Sequence, residues 1–202
     1  MCSSDLIPPG TALAIDGQLS NTGSGFAVVL SPGNGSIVVS NPGGTAVLNS
    51  NGRSIYGGGT ATGAVALIGN LVVSGGDYAI YTTGAANHSL TGDIIKTSAS
   101  AAWFCNATSL TINGKIVGYD PFYTSNTTIN WIGTHTLAAD EQTWLRFNYG
   151  TVNLGTSATP LDLTVLGRFI LHKLGGNLSQ TYGTVRLDRK STRLNSSHVS
   201  QS

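Results

Sequence analysis

The chain has 202 residues, 10 basic and 9 acidic, for a formal net charge of +1. Charged residues make up only 9% and glycine alone contributes 27 positions, unlike the low-hydrophobicity, high-charge signature of disordered chains. No run of about 18 apolar residues occurs, so no membrane span is expected, and without a basic patch nucleic acid is not an expected partner.

In chain order, the ends come first. Asp188-Arg-Lys-Ser-Thr-Arg-Leu-Asn-Ser-Ser-His198 back-translates to a common sequencing adapter beginning GATCGGAAGAGC. Cys2-Ser-Ser-Asp-Leu6 back-translates to the reverse complement of that start. Residues 1–6 and 188–202 are therefore expected to be adapter-derived and are set aside in reading the fold. The remainder, residues 7–187, then reads as a metagenomic piece of a longer gene with seven basic and seven acidic residues. Cys105 becomes the only natural cysteine, which excludes an internal disulfide and a Cys-based zinc site.

Short apolar runs follow: Phe26-Ala-Val-Val-Leu30, Ile37-Val-Val39 and Ala46-Val-Leu48. Turn formers separate them, in Ser31-Pro-Gly-Asn-Gly35, Asn41-Pro-Gly-Gly44 and Asn49-Ser-Asn-Gly52. Each run is too short for a helix and suits a strand. A 3.6-residue pattern is arguable only around Leu137 to Phe147, so an all-β fold is expected.

The middle of the chain repeats. Leu67-Ile-Gly-Asn-Leu-Val72, Leu90-Thr-Gly-Asp-Ile-Ile95 and Ile112-Asn-Gly-Lys-Ile-Val117 share one pattern: aliphatic, any, Gly, polar, aliphatic, aliphatic. Val165-Leu-Gly-Arg-Phe-Ile170 and Trp131-Ile-Gly-Thr-His135 are weaker echoes. An aromatic strand follows each strong copy, in Tyr78-Ala-Ile-Tyr81, Trp103-Phe-Cys105 and Phe122-Tyr123. A period of about 22 residues signifies stacked units, none of which buries its apolar face alone. Alternation points Leu67, Leu90 and Ile112 inward, with Leu71, Ile94 and Ile116, and leaves Asn70, Asp93 and Lys115 as an outer polar row.

Gly75-Gly-Asp-Tyr-Ala-Ile-Tyr81 and Ser109-Leu-Thr-Ile-Asn-Gly-Lys-Ile-Val117 resemble rungs of right-handed parallel β-helix proteins of the pectin-lyase-like group, which includes phage tail spikes and bacterial surface adhesins. The resemblance covers Gly63 to Val117 well and the flanks loosely. It implies a parallel β-helix, a solenoid of about 22 residues per coil without its caps, located outside the cell, on the cell surface or on a virion. Residues 7–118 are read as coils. Residues 119–187 are read as further coils or a separate β-domain, because Tyr119-Asp-Pro-Phe-Tyr-Thr-Ser-Asn126 breaks the period. An antiparallel sandwich is the rival fold.

No catalytic constellation is evident. Hydrolysis of a glycosidic bond needs two carboxyls about 5 to 9.5 Å apart, yet Asp77 and Asp93 fall at different phases of the repeat. Asp140 and Glu141 would face opposite sides of a strand, and Asp120 beside Pro121 reads as a turn former. His88, His135 and His172 are far apart and expected at the surface or an edge, so no metal or other cofactor is expected. Asn87-His-Ser, Asn106-Ala-Thr, Asn126-Thr-Thr and Asn177-Leu-Ser fit the glycosylation pattern, but asparagines near turns also suit ladders between coils.

The aromatics carry the site expectation. Tyr78, Tyr81, Trp103 and Tyr123 are candidate glycan contacts, an exposed row offering flat apolar faces to sugar rings with polar groups at its edges. Core or edge packing is the competing reading for each, and only one of Trp103 and Phe104 should face out. The expected role is structural or adhesive, with surface polysaccharide as partner and homo-oligomerisation through unpaired strand edges. A polysaccharide lyase or glycoside hydrolase of the same fold is the alternative, and a ligand-free scaffold a third.

Overall fold

The computed structural model describes residues 5–30, 33–75, 78–98, 102–124, 126–147, 150–173, 175–179 and 182–188. Asp77 and the adapter-like ends, apart from Asp5, Leu6 and Asp188, lie outside them. The chain is a parallel β-solenoid of about 7 turns, with ~24 residues per turn, slightly longer than the expected coil. Among the described residues every strand pairing is parallel, which excludes the antiparallel sandwich.

One flank is a six-stranded sheet. Its strands, in order along the axis, are Asp5–Ile7, Phe26–Leu30, Arg53–Gly57, Ile80–Thr82, Trp103–Cys105 and Phe122–Thr124. Each sits one coil above the last, so sequence neighbours are never sheet neighbours. The opposite side holds the first and second strands of each coil: Val65–Val73 spans both, then Asn87–Thr91 with Ile94–Lys96, and Ser109–Asn113 with Ile116–Tyr119.

The glycine pattern makes the bend between those two strands. Leu67, Leu90 and Ile112 are in register, as are Leu71, Ile94 and Ile116, and all six are at most 1% exposed. Such columns stabilise the fold at roughly 1.5–3 kcal/mol per aliphatic side chain. Gly69 (φ 119°) and Gly92 (φ 148°) adopt a backbone that L side chains avoid. A Cβ added to Gly92 would meet the Gly69 carbonyl, and one added to Gly114 the Gly92 carbonyl. The three glycines are thus stacked, each bend seated on the one before it.

Outside the bends runs the expected polar row. The Asp93 N–H donates to Asn70 Oδ1 at 2.9 Å, and the Lys115 N–H to Asp93 Oδ1 at 2.8 Å. Asparagine ladders occur elsewhere: Asn153 Nδ2 donates to Asn130 Oδ1 at 2.8 Å.

Four stretches show how the structure resolves the sequence reading. Ser36–Asn49 is one strand with register shifts between Ser40 and Val47, so Asn41-Pro-Gly-Gly44 bulges from a continuous ladder rather than ending it. Leu137 to Phe147 contains no helix; it is a strand end, a turn and the strand Gln142–Phe147. Leu6 belongs to a strand paired with Phe26–Leu30. The coils continue in parallel register beyond Tyr119, with Trp103 opposite Phe122 and Ser109 opposite Thr128.

Beyond Gly133 the coil changes shape. Thr128–Leu137 continues past Gly133 (φ 93°), and its second half pairs with Leu161–Val165, which pairs with Gly183–Leu187. The remaining strands of these coils are Thr151–Leu154, Arg168–Lys173 and Asn177–Ser179. Among the described residues no helix is long and apolar enough to cross a membrane.

Candidate functional site

The outer face of the six-stranded sheet carries a ladder of rings. In a strand, successive side chains alternate between faces, so each short strand there sends one residue out between two pointing in. Tyr56 lies opposite Tyr81, Tyr81 opposite Phe104, and Phe104 opposite Tyr123. The rings stack nearly parallel at centroid separations of 5.3, 4.4 and 5.3 Å. Phe26 extends the stack on Tyr56 at 4.6 Å. Tyr78 leans on its side, 6.1 Å from Tyr81 and edge-on to Phe104 at 5.4 Å. The Arg53 guanidinium lies over Tyr81 at 4.5 Å and over Tyr56 at 5.4 Å.

Three of the four expected contact residues, Tyr78, Tyr81 and Tyr123, belong to this face. Tyr123 is 42% exposed, while Tyr78 and Tyr81 are half-buried. Trp103 does not belong to it. It is fully buried, its Nε1–H donates to Thr82 Oγ1 at 3.1 Å, and its neighbour Phe104 faces out instead. The reason is the strand phase: Trp103 is in register with the inward Ile80 and Phe122. The sequence reading also missed Phe26 and Tyr56. Counting one position past each inward residue of successive short strands would have found Tyr56.

The geometry changes how the face can bind. Stacked rings cover each other's flat surfaces, so the interior of the ladder presents ring edges and the hydroxyls of Tyr56 and Tyr81. A broad aromatic surface is open chiefly at Tyr123 and at Phe26, which is 40% exposed. Edge-on and hydroxyl contacts therefore replace the expected continuous platform.

Acids and amines cluster elsewhere. A cleft of about 330 Å3 on the opposite side is lined by Lys96, Tyr119, Asp140, Glu141 and Gln142, among others. Asp140 and Glu141 belong to a turn rather than a strand, so both line this cleft instead of facing opposite ways. Its charges are held by neighbouring protein groups. Lys115 Nζ meets Glu141 Oε1 at 2.7 Å and Asp93 Oδ2 at 3.9 Å, and the Glu141 hydrogen bond raises the Lys115 pKa. Burial alone would push the Glu141 carboxyl up, but hydrogen bonds from Lys115 and the Ala138 N–H, with the Lys115 charge, hold it below its ordinary value.

Lys96, which alternation turns inward after Ile94, is only 4% exposed, and its ammonium donates to the Tyr119 carbonyl. Burial lowers its pKa and the Asp120 carboxylate opposes the shift. Asp120, expected as a turn former, follows the strand Ile116–Tyr119 with a left-handed φ of 46° and is buried at 8% exposure.

His88 is not at the surface. It is 2% exposed, with Nδ1 accepting the Val65 N–H at 3.0 Å. His135 Nε2 lies 2.7 Å from the Ile132 carbonyl, and His172 is exposed. Among the described residues no group of three or more His, Cys, Asp or Glu could hold a metal. In comparisons with known proteins, no family model matches the chain, and neither a curated protein nor a solved structure does.

Proposed function

We propose that the chain is a segment of an extended solenoid with a structural and adhesive role outside the cell, on a cell or virion surface. In this reading it works like the pectin-lyase-like β-helix proteins it resembles, with polysaccharide held along the aromatic flank. The observation that carries the reading is the ring ladder from Phe26 to Tyr123, which puts aromatic edges and tyrosine hydroxyls at one-coil intervals on a single outer face. The strands Phe26–Leu30, Arg53–Gly57, Ile80–Thr82, Trp103–Cys105 and Phe122–Thr124 contain no carboxylate, and Arg53 is their single charge. Such a surface suits holding a sugar chain better than cleaving one.

The test is binding of the chain to a panel of surface polysaccharides. Tyr123→Ala and Tyr78→Ala are each expected to weaken a bound polysaccharide about tenfold, the equivalent of ~1.4 kcal/mol. Equal binding by the double variant, or no binding by the parent chain, would overturn the reading. A polysaccharide lyase or glycoside hydrolase would instead use the Lys96–Tyr119–Asp140–Glu141 cleft, the one place where acids and a buried amine meet among the described residues. Depolymerisation that is lost in Asp140→Asn would establish that alternative.

A further inference from the structure

Residue 88 interrupts an otherwise aliphatic column. Ile37 faces Val65, Leu110 faces residue 88, and Ile129 and Val152 continue above, each of these aliphatics at most 1% exposed. The backbone pairing between Val65–Val73 and Asn87–Thr91 begins only at Ala66 and Ser89. One residue earlier, the imidazole of His88 does the work of a backbone carbonyl, and its Nδ1 accepts the Val65 N–H at 3.0 Å. Because Nδ1 accepts, the ring proton is on Nε2, which is buried without a hydrogen-bond partner. The Trp103 ring lies 5.6 Å away.

We infer that His88 is an acid-sensitive latch between two coils: its neutral ring completes the ladder at Val65, and protonation of Nδ1 breaks that bond and opens the solenoid there. With a proton on Nδ1, two donors would face each other at hydrogen-bonding distance, and a full charge would sit in a dry column. Nothing nearby offsets it. The strands packed against His88 are Val65–Val73, Ser109–Asn113 and Trp103–Cys105, and none of them contains Asp, Glu, Lys or Arg. Their one inward titratable group is the Cys105 thiol, itself pushed up to about 11 by burial. The outward Tyr81 is on Ile80–Thr82, and the strand Asn87–Thr91 has no second titratable residue.

Burial lowers the His88 pKa from 6.5 to about 4. A histidine depressed in the folded state leaves stability intact above pH 6.5, costs stability as pH falls from 6.5 to about 4, and adds no further loss below that. Hydrogen exchange at the Val65 amide reads this directly. Relative to its intrinsic rate, exchange is expected to accelerate about tenfold per pH unit across that window, roughly 300-fold in all.

His88→Asn keeps an acceptor near the Nδ1 position but cannot gain a proton, so its Val65 exchange is expected to be independent of pH. A flat profile in the wild-type chain, or the same acid acceleration in His88→Asn, would overturn the latch. Should that variant not fold, nitrogen NMR of the wild-type imidazole decides: a ring still neutral at pH 5.5 supports the latch, and one half-protonated near 6.5 overturns it.

Discussion

The coils from Val65 to Gly118 and those from Thr128 to Leu187 solve the same packing problem differently. In the first set, Gly92 and Gly114 each sit on the glycine below, and Asn70 and Asp93 cap the next coil's backbone. In the second, the chain runs past Gly133 into a strand that has partners only above it and turns later, at residues 138–141. Gly167 then stacks on that later turn, where an added Cβ would meet the Ala138 and Glu141 carbonyls. A solenoid tolerates a new outline provided the next coil copies it, because each coil reads only its neighbours.

The sharpest way to break this contrast is Gly114→Ala. A Cβ there overlaps the Gly92 backbone, and the expected loss is on the order of 4 kcal/mol in urea unfolding. Gly17→Ala, at φ 120° but with nothing within 4 Å of the added atom, is expected to cost only about 1 kcal/mol. Equal costs would show that close stacking does not govern the central bends.

Next in size is the core. Leu90→Ala removes a side chain 1% exposed between two identical coils and is expected to cost roughly 3 kcal/mol. Leu171→Ala, only partly buried in the redrawn coils, is expected to cost about half that. The smallest effect belongs to the ion pair that joins the two sets. Lys115→Ala removes the Glu141 contact, and since both side chains are partly exposed the expected loss is below about 1 kcal/mol and shrinks in high salt.

Legibility differed along the chain for physical reasons. The glycine period was visible because a Cβ at Gly92 or Gly114 would overlap the backbone of the bend below, so the same residue type recurs from coil to coil. Val165-Leu-Gly-Arg-Phe-Ile170 carried the same signature but stacks on Leu137–Gln142, since a pattern specifies a bend without naming the bend beneath it. Trp103 and Phe104 show a second limit. Both suit a strand, and only the register with Ile80 and Tyr81 assigns one to the core and the other to the ladder. His88 shows a third: composition alone favours the surface for a histidine, while its column turns it inward.

By itself the sequence determined the class of object: strands too short and too glycine-punctuated for helices, repeating at a fixed interval, with apolar and polar positions alternating. Those are local properties, set by backbone sterics and side-chain phase. Which ring meets which, where an imidazole replaces a carbonyl, and how the coil is redrawn after Gly133 were decided only in three dimensions. Each depends on the coil above and the coil below, some 20 or more residues away along the chain, and one strand's residues do not encode their neighbours' register.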